Sequence, residues 1–329
     1  MIRMKNKVIE TIRKYNLIQT GDKIVCGVSG GPDSISMLNI LNEIKEDFNF
    51  EIYVAHINHM IRKEADDDQK YVQDYCARNN IQCFAQKMDV QKFASDNRIG
   101  TEEAGRNIRY SFFEEVLKKV QANKIAIAHN KNDKIETIIM NLLRGSGISG
   151  LKGIEPIRDN KYIRPLIECE RQEIEKYCEQ YKLNPRIDKT NFENDYTRNK
   201  IRNIIIPYIK NEFNPNIIET MDRLSQVATD ESDYIELQAR KMYEKLLVEK
   251  SEKQVVLNLK KFNELNKVIK SRIILLTFKE LNGSTQRIEK VHIEDIIKLC
   301  ANNVGNKFLT PNKNVKVLIK NKKIYVTSL

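Results

Sequence analysis

No stretch of this 329-residue chain stays apolar for the ~20 residues that a bilayer-spanning helix needs, which excludes a membrane protein. The opening Met1-Ile-Arg-Met-Lys-Asn-Lys-Val8 lacks the apolar core of a signal peptide, so a cytoplasmic location is expected. The six cysteines (Cys26, Cys76, Cys83, Cys169, Cys178, Cys300) form no Cys-x-x-Cys pair. Scattered thiols of this kind are expected to be reduced and buried, and they supply no zinc or iron–sulfur ligand set. Histidine is scarce. Three of the four, His56, His59 and His129, sit in short polar segments, and the spacing His56-Ile-Asn58-His59 suits no tetrahedral zinc site. Internal repeats and low-complexity tracts are missing. Acids are missing from Tyr196–Lys210 and from Ala301–Leu329, in a chain of net charge +11. Two basic stretches without compensating acids point to a polyanion, although charge runs are also common on solvated faces.

The most informative segment that is present is Ser29-Gly30-Gly31-Pro32-Asp33-Ser34, directly after the apolar run Lys23–Val28. It has the pattern of strand, tight turn and helix start. Gly30 and Gly31 can adopt backbone angles closed to other residues. The N–H groups of such a turn converge on phosphate oxygens, and Pro32 suits the first turn of a helix. The positive end of that helix adds to the same anion site. Ser29 and Ser34 offer hydroxyls, and Asp33 offers a carboxylate for a phosphate-bound Mg²⁺. The Gly-Lys-Ser/Thr ending of a P-loop is not there.

Periodicity predicts helices over 4–17, 34–46, 64–79, 102–120, 133–144 and 171–181. Strands are predicted at 24–28, 50–55, 81–86 and 124–129, with 154–168 extended. Strands alternating with helices give an α/β fold, a parallel doubly wound sheet with helices on both faces. One long helix is predicted from Pro215 to Val248, then a strand at 255–259, helices at 262–281 and 291–302, and strands at 315–319 and 323–326. These make a smaller α+β C-terminal domain. The boundary is placed at 212/213, where Pro207, Phe213-Asn-Pro215 and a change of periodicity coincide.

The unusual residues cluster at strand ends: Ser29–Ser34 after the first, His56–His59 after the second, His129–Asp133 after the fourth. Ligands of open α/β sheets bind at that rim. Asp33 and Asp133 are the candidate pair for Mg²⁺ and chemistry, although each could serve only as an N-cap. Arg106 and Arg109 either pair with Glu102 and Glu103 along a helix or face phosphates.

The loop Ser29–Ser34 resembles that of the PP-loop ATP pyrophosphatases, the adenine nucleotide α hydrolase-like fold. Five further segments are similar to the tRNA(Ile)-lysidine synthases: His56–Arg62 with Ala65-Asp66, Thr101–Tyr110, Ala128–Thr137, Leu143–Leu151, and Asp188–Asn191 with Tyr196–Arg202. One departure is Asn130, where the family usually shows a second histidine. The resemblance implies that residues 1–212 form the PP-loop ATP-binding catalytic domain, and 213–329 a helical linker with a tRNA-binding α+β domain. It implies ATP and Mg²⁺, and as partners free L-lysine and a CAU-anticodon tRNA(Ile). A homodimer is the candidate assembly.

Carried onto this chain, the resemblance makes Asp33, Arg109 and Asp133 the catalytic candidates, with Asp133 as base or metal ligand. Ser29, Gly30, Gly31, Pro32, Asp33, Ser34, His56 and Asn58 would bind ATP. His59, Arg106, His129, Glu136 and Arg144 would lie near the target base. Arg198, Lys200, Arg202, Lys313, Lys316, Lys320 and Lys322 would contact tRNA phosphates. The activity implied is ATP-dependent formation of lysidine at the wobble cytidine. The alternatives are a tRNA thiolase of the same superfamily, which would need sulfur-carrying cysteines, and a catalytically silent RNA-binding protein.

Overall fold

The computed structural model of the chain describes residues 3–60, 65–186, 196–283, 288–302 and 306–329. The segments Ile61-Arg62 and Asp188–Asn191, which contribute to the family resemblance, lie outside the described residues. The chain divides into two compact units, Met1–Gln226 and Val227–Leu329.

The first unit begins with α1 (Arg3–Lys14), β1 (Lys23–Gly27), α2 (Pro32–Phe48) and β2 (Glu51–Asn58). It continues through α3 (Ala65–Arg78), β3 (Cys83–Lys87), α4 (Val90–Asn97), α5 (Thr101–Lys119), β4 (Lys124–Ile127) and α6 (Lys131–Leu143). After α7 (Ile148–Leu151) come the short strands β5 (Ile157–Arg158) and β6 (Tyr162–Ile163), then α8 (Arg171–Gln180). The sheet order is β3-β2-β1-β4-β6-β5. All its pairings are parallel except β5 with β6. The chain therefore runs outward through β1, β2 and β3, then returns to the other side of β1 for β4. That reversal opens a crevice between the C-terminal ends of β1 and β4, the place where such sheets bind ligands.

Strand alternation divides the core. Ile24 and Cys26 of β1 face one layer with Ile35, Leu38, Val72 and Ile174. Val25 faces the other, with Ile108, Phe112, Phe113 and Ile125. Strands buried on both faces lack a polar side, which is why they appear in the sequence as short continuous apolar runs.

Residues 197–212, given no element in the sequence analysis, are helical. α9 (Thr197–Lys200) passes through a π-helical turn (Ile201–Ile205) into α10 (Ile206–Glu212). The β-branched run Ile204-Ile205-Ile206 disfavours helix locally. Packing decides instead: Ile201 and Ile206 are buried with Ile135, Ile138, Ile139 and Ile218. α11 (Ile217–Leu246) is continuous, and its Ile218 and Ser225 belong to the first unit, Ser225 donating to the Lys152 carbonyl at 2.9 Å. The division thus falls inside this helix, whereas residue 212 marks only the end of α10.

The second unit holds β7 (Leu247–Lys250), β8 (Gln254–Asn258), α12 (Leu259–Asn263), α13 (Lys267–Asn282), α14 (Lys290–Asn302), β9 (Lys307–Asn312), β10 (Val315–Lys320) and β11 (Lys323–Ser328). Its antiparallel sheet has the order β7-β8-β11-β10-β9, and its core includes Leu257, Phe262, Phe278, Ile296, Val317 and Ile324. β9 escaped the sequence analysis because it carries Pro311, which an edge strand tolerates.

Candidate active site

The loop after β1 is braced by its own serines. Ser34 Oγ accepts from Ser29 N at 3.1 Å and donates to the Gly31 carbonyl at 3.1 Å. Gly30 sits at φ +90°, in the region that excludes side chains, and its carbonyl accepts from Arg186 N at 2.9 Å. Gly31 caps α2, with Pro32 in the first turn and Asp33 beside it. The loop bounds a cavity of about 570 Å³ at the sheet's C-terminal rim, in the usual range for small-molecule sites. Ser29, Gly31, Asp33, Ser34, His56, Asn58, His59, Arg109 and His129 all line it. So do Tyr196, Arg198 and Asn199, of which Tyr196 and Asn199 were not singled out from the sequence.

The histidines take opposite hydrogen-bonding roles. His56 Nδ1 lies 2.8 Å from the Val28 carbonyl, so it carries the proton. His56 Nε2 is buried without a protein partner and is left as an acceptor, suited to an amine or hydroxyl rather than a phosphate. Burial lowers the His56 pKa and keeps the ring neutral. His129 Nδ1 instead accepts from Arg164 Nε at 3.1 Å, which leaves Nε2–H as its donor. Burial pulls its pKa down to about 4. Burial, with the nearby Arg109 charge, does the same to His59. Arg164 escaped notice in the sequence; its signal was a lone charge inside the apolar run Tyr162–Ile167, where it is 4% exposed.

At the β4 end, Asn130 caps α6. Its Oδ1 accepts from Asp133 N at 2.9 Å, and Asp133 Oδ2 accepts from Asn130 N at 3.0 Å. Asn130 Nδ2 donates to Asp33 Oδ1 at 2.8 Å, which ties the two strand-end aspartates together. Burial, followed by the Asp133 charge, pushes the Asp33 carboxyl up to about 6. Burial alone would also raise Asp133. Arg198, the Asn130 N–H and Arg202 outweigh it and hold that carboxyl below the usual range.

Arg198 and Arg202, expected to reach outward to tRNA phosphates, turn inward. Arg202 grips Glu136 at 2.6 and 2.7 Å and reaches Asp133 Oδ1 at 3.1 Å. Arg198 Nε meets Glu136 at 3.0 Å. Glu136 is 1% exposed, and a buried carboxylate requires paired cations. The π-helical turn carries Arg202 to this point, a use of such turns common at functional sites.

Other expected residues are placed elsewhere. Arg106 packs over the Tyr110 ring at 5.3 Å and does not line the cavity. Asn58 lines it, but its amide is engaged with Asp66 at 2.7 Å and Met60 N at 3.0 Å. Arg144 caps the opposite end of α6 from Asp133, roughly 16 Å along the helix. Lys200 is exposed on the first unit. Lys313 and Lys322 occupy exposed turns of the second unit and Lys320 ends β10, while Lys316 Nζ lies 4.4 Å from the Phe308 ring centroid. Among the described residues no helix is long and apolar enough to cross a membrane, and no group of three or more His, Cys, Asp or Glu could hold a metal ion.

A family profile described as a PP-loop domain matches residues 3–209. The tRNA(Ile)-lysidine synthase of Clostridioides difficile (strain 630) is 47% identical over 324 residues, which is 98% of this chain and 70% of that protein. The tRNA(Ile)-lysidine synthase of Clostridium acetobutylicum is 49% identical over 310 residues, 94% of this chain and 67% of that protein. Among solved structures, the U34-tRNA thiolase NcsA from Methanococcus maripaludis aligns with a TM-score of 0.55 at 20% identity, covering 68% of this chain and 78% of that one. That likeness concerns the fold alone. With a PP-loop sheet, a glycine loop at its switch point and relatives of this identity along nearly its whole length, the chain belongs to the tRNA(Ile)-lysidine synthase family.

Proposed function

We propose that the chain uses ATP to join free L-lysine to C2 of the wobble cytidine, position 34, of CAU-anticodon tRNA(Ile), switching its reading from AUG to AUA. In the first step the C2 carbonyl oxygen attacks the α-phosphorus of ATP and pyrophosphate leaves. In the second the lysine ε-amine attacks C2, and AMP departs with the oxygen. The order follows from leaving-group chemistry: a carbonyl oxygen leaves poorly until it is adenylated. The observation that carries the reading is the pair Asp33 and Asp133, held at neighbouring strand ends beside the glycine loop and bridged by Asn130.

The donor set suits Mg²⁺. Both groups are hard carboxylate oxygens, and the repulsion that raises Asp33 is what a cation relieves. Held by Asp33 and Asp133, Mg²⁺ would neutralise charge on the triphosphate. The backbone of Ser29–Ser34 and the α2 N-terminus would receive phosphate oxygens. His56 Nε2 would accept from a nucleotide hydroxyl or amine, and Arg109 would face the phosphates or the activated base.

Free lysine, with pKa near 10.4, is nearly all ammonium at pH 7; freeing its amine costs roughly 4.6 kcal/mol. A proton acceptor must help. Asp133 is the candidate acceptor, kept ionised by its neighbouring arginines; the rise at Asp33 would be relieved once Mg²⁺ is bound. Lys200, Lys313, Lys320 and Lys322 would supply exposed charge for tRNA phosphates, with the half-buried Lys316 beside them in sequence.

The test is incubation of the chain with CAU tRNA(Ile), ATP, Mg²⁺ and isotopic lysine. Mass spectrometry should find labelled lysine on the wobble cytidine, with one pyrophosphate per product. Pyrophosphate without incorporated lysine, or a sulfur-bearing nucleoside, overturns the reading. Cysteine separates it from the thiolase. None of the six lines the cavity, and burial pushes the thiols of Cys26, Cys169 and Cys300 up to about 12. Replacing all six with alanine or serine should leave turnover per folded molecule within about twofold, a barrier change of only ~0.4 kcal/mol. Loss of turnover from any single replacement in a folded protein would favour sulfur transfer.

A further inference from the structure

We propose that Asn130 is a positioning residue for the ATP step, acting through Asp33. The inference rests on the reading that Asp33 serves that step. An N-cap needs only one side-chain acceptor, and Asn130 Oδ1 meets that need by receiving Asp133 N at 2.9 Å. The other end of the amide has a separate task. Its Nδ2 donates to Asp33 Oδ1 at 2.8 Å, across from β4 to the loop after β1. The orientation of the amide follows from its partners, since a backbone N–H only donates and a carboxylate only accepts. Asn130 is 0% exposed, so water does not share either bond.

The consequence is mechanical. Asp33 and Asp133 repel each other, and a lone carboxylate at the mouth of α2 could rotate away. Asn130 lies between them, fixes one Asp33 oxygen and leaves the second free of that bond. Because Asn130 also closes the capping box of α6, the position of Asp33 is keyed to the same turn that carries Asp133. The two carboxylates are thereby set as one unit from two strands. Few side chains could do both tasks. Serine and aspartate cap but cannot bridge: serine is too short, and an ionised aspartate has no proton to give. Glutamine donates but is not among the preferred caps.

The pair Asn130→Ser and Asn130→Asp therefore removes the bridge while keeping the cap. Both would be assayed in the 329-residue chain for pyrophosphate release with CAU tRNA(Ile), alongside Asp33→Ala. Asn130→Ser should keep its thermal midpoint within about 3 °C, as expected when a cap is retained. Its kcat should fall about 10- to 100-fold, the cost of a small misplacement of a reacting group, with KM for ATP within about threefold. Asn130→Asp should lose at least as much, because an acceptor then faces Asp33. If Asn130→Ser turns over within about threefold of wild type per folded molecule while Asp33→Ala is inactive, the proposal falls. A lowered midpoint with normal kcat, or a raised KM alone, assigns Asn130 to capping or to binding and overturns it equally. Activity in Asp33→Ala overturns instead the reading on which it rests.

Discussion

Asp33→Ala is expected to reduce pyrophosphate release by at least about 10³-fold, close to 4 kcal/mol of barrier, and to make the thermal midpoint relative to wild type depend on pH. The two halves of this result have one cause. Asp33 is held where charge is unwelcome: burial and the Asp133 carboxylate push its pKa up to about 6 from an ordinary 3.8. Such a site is kept for function at the expense of stability. The sign follows from proton linkage. Between about 3.8 and 6 the folded state binds more protons at this residue than the unfolded state does. Asp33 therefore weakens the fold fully above that window, and the penalty fades as pH falls through it. Removing the carboxyl lifts this penalty but leaves the buried Asn130 Nδ2 without its partner, so the expected signature is the trend: the midpoint of Asp33→Ala relative to wild type is highest at pH 8 and falls towards pH 4. A coupled pyrophosphate assay and calorimetry at the two pH values check both parts. Release within about tenfold of wild type would remove Asp33 from the chemistry.

The α/β half of the chain was legible because its signals are local. β1, β2 and β4 are short apolar runs, and each ends in or is followed by residues that a buried strand end does not need: a glycine pair, the polar His56, Asn58 and His59, and His129 with Asp133. The sheet order then brings these loops to one rim. The segment from Tyr196 to Glu212 was not legible. Its isoleucines favour an extended strand locally, and only burial against α6 and α11 makes them helical. The destination of its arginines was hidden for a related reason. Arg198 and Arg202 look like phosphate-binding residues because no acid lies near them in sequence; Glu136, their partner, lies more than sixty residues away. Asn130 shows the same limit at one residue. Its capping role is readable from Asn130 and Asp133 alone, but its second bond reaches Asp33, 97 positions away. Strand-end chemistry could be located from the sequence, while the internal pairing that tunes it depends on contacts between distant segments.

Glu136→Ala should destabilise the first unit by about 3–5 kcal/mol, the usual result of breaking a buried ion pair by removing one partner. Glu136 is 1% exposed and receives Arg202 at 2.6 and 2.7 Å and Arg198 at 3.0 Å. Without it, two guanidinium groups share one remaining acid, Asp133, already engaged by Arg202 at 3.1 Å. The arginine side chains are 29% and 19% exposed, so water can recover part of the loss at Arg198 and less at Arg202. Denaturant unfolding followed by circular dichroism gives the magnitude. Activity should fall further than stability does, because Arg202 would be drawn onto Asp133 and away from the geometry that Glu136 imposes. The second test is Glu136→Gln combined with Arg202→Met. This pair removes the Glu136 and Arg202 charges together and leaves Arg198, the more exposed arginine, to water; replacing a buried ion pair with packed neutral groups is often close to neutral. Recovery of most of the lost stability, with turnover still impaired, is the expected outcome. It would mean that the arginines are held inside the protein for what they do to Asp133 rather than for the strength of the fold. A single Glu136→Ala variant as stable as wild type would show that water, not Glu136, sets the state of both arginines, and would return them to the outward, phosphate-facing role.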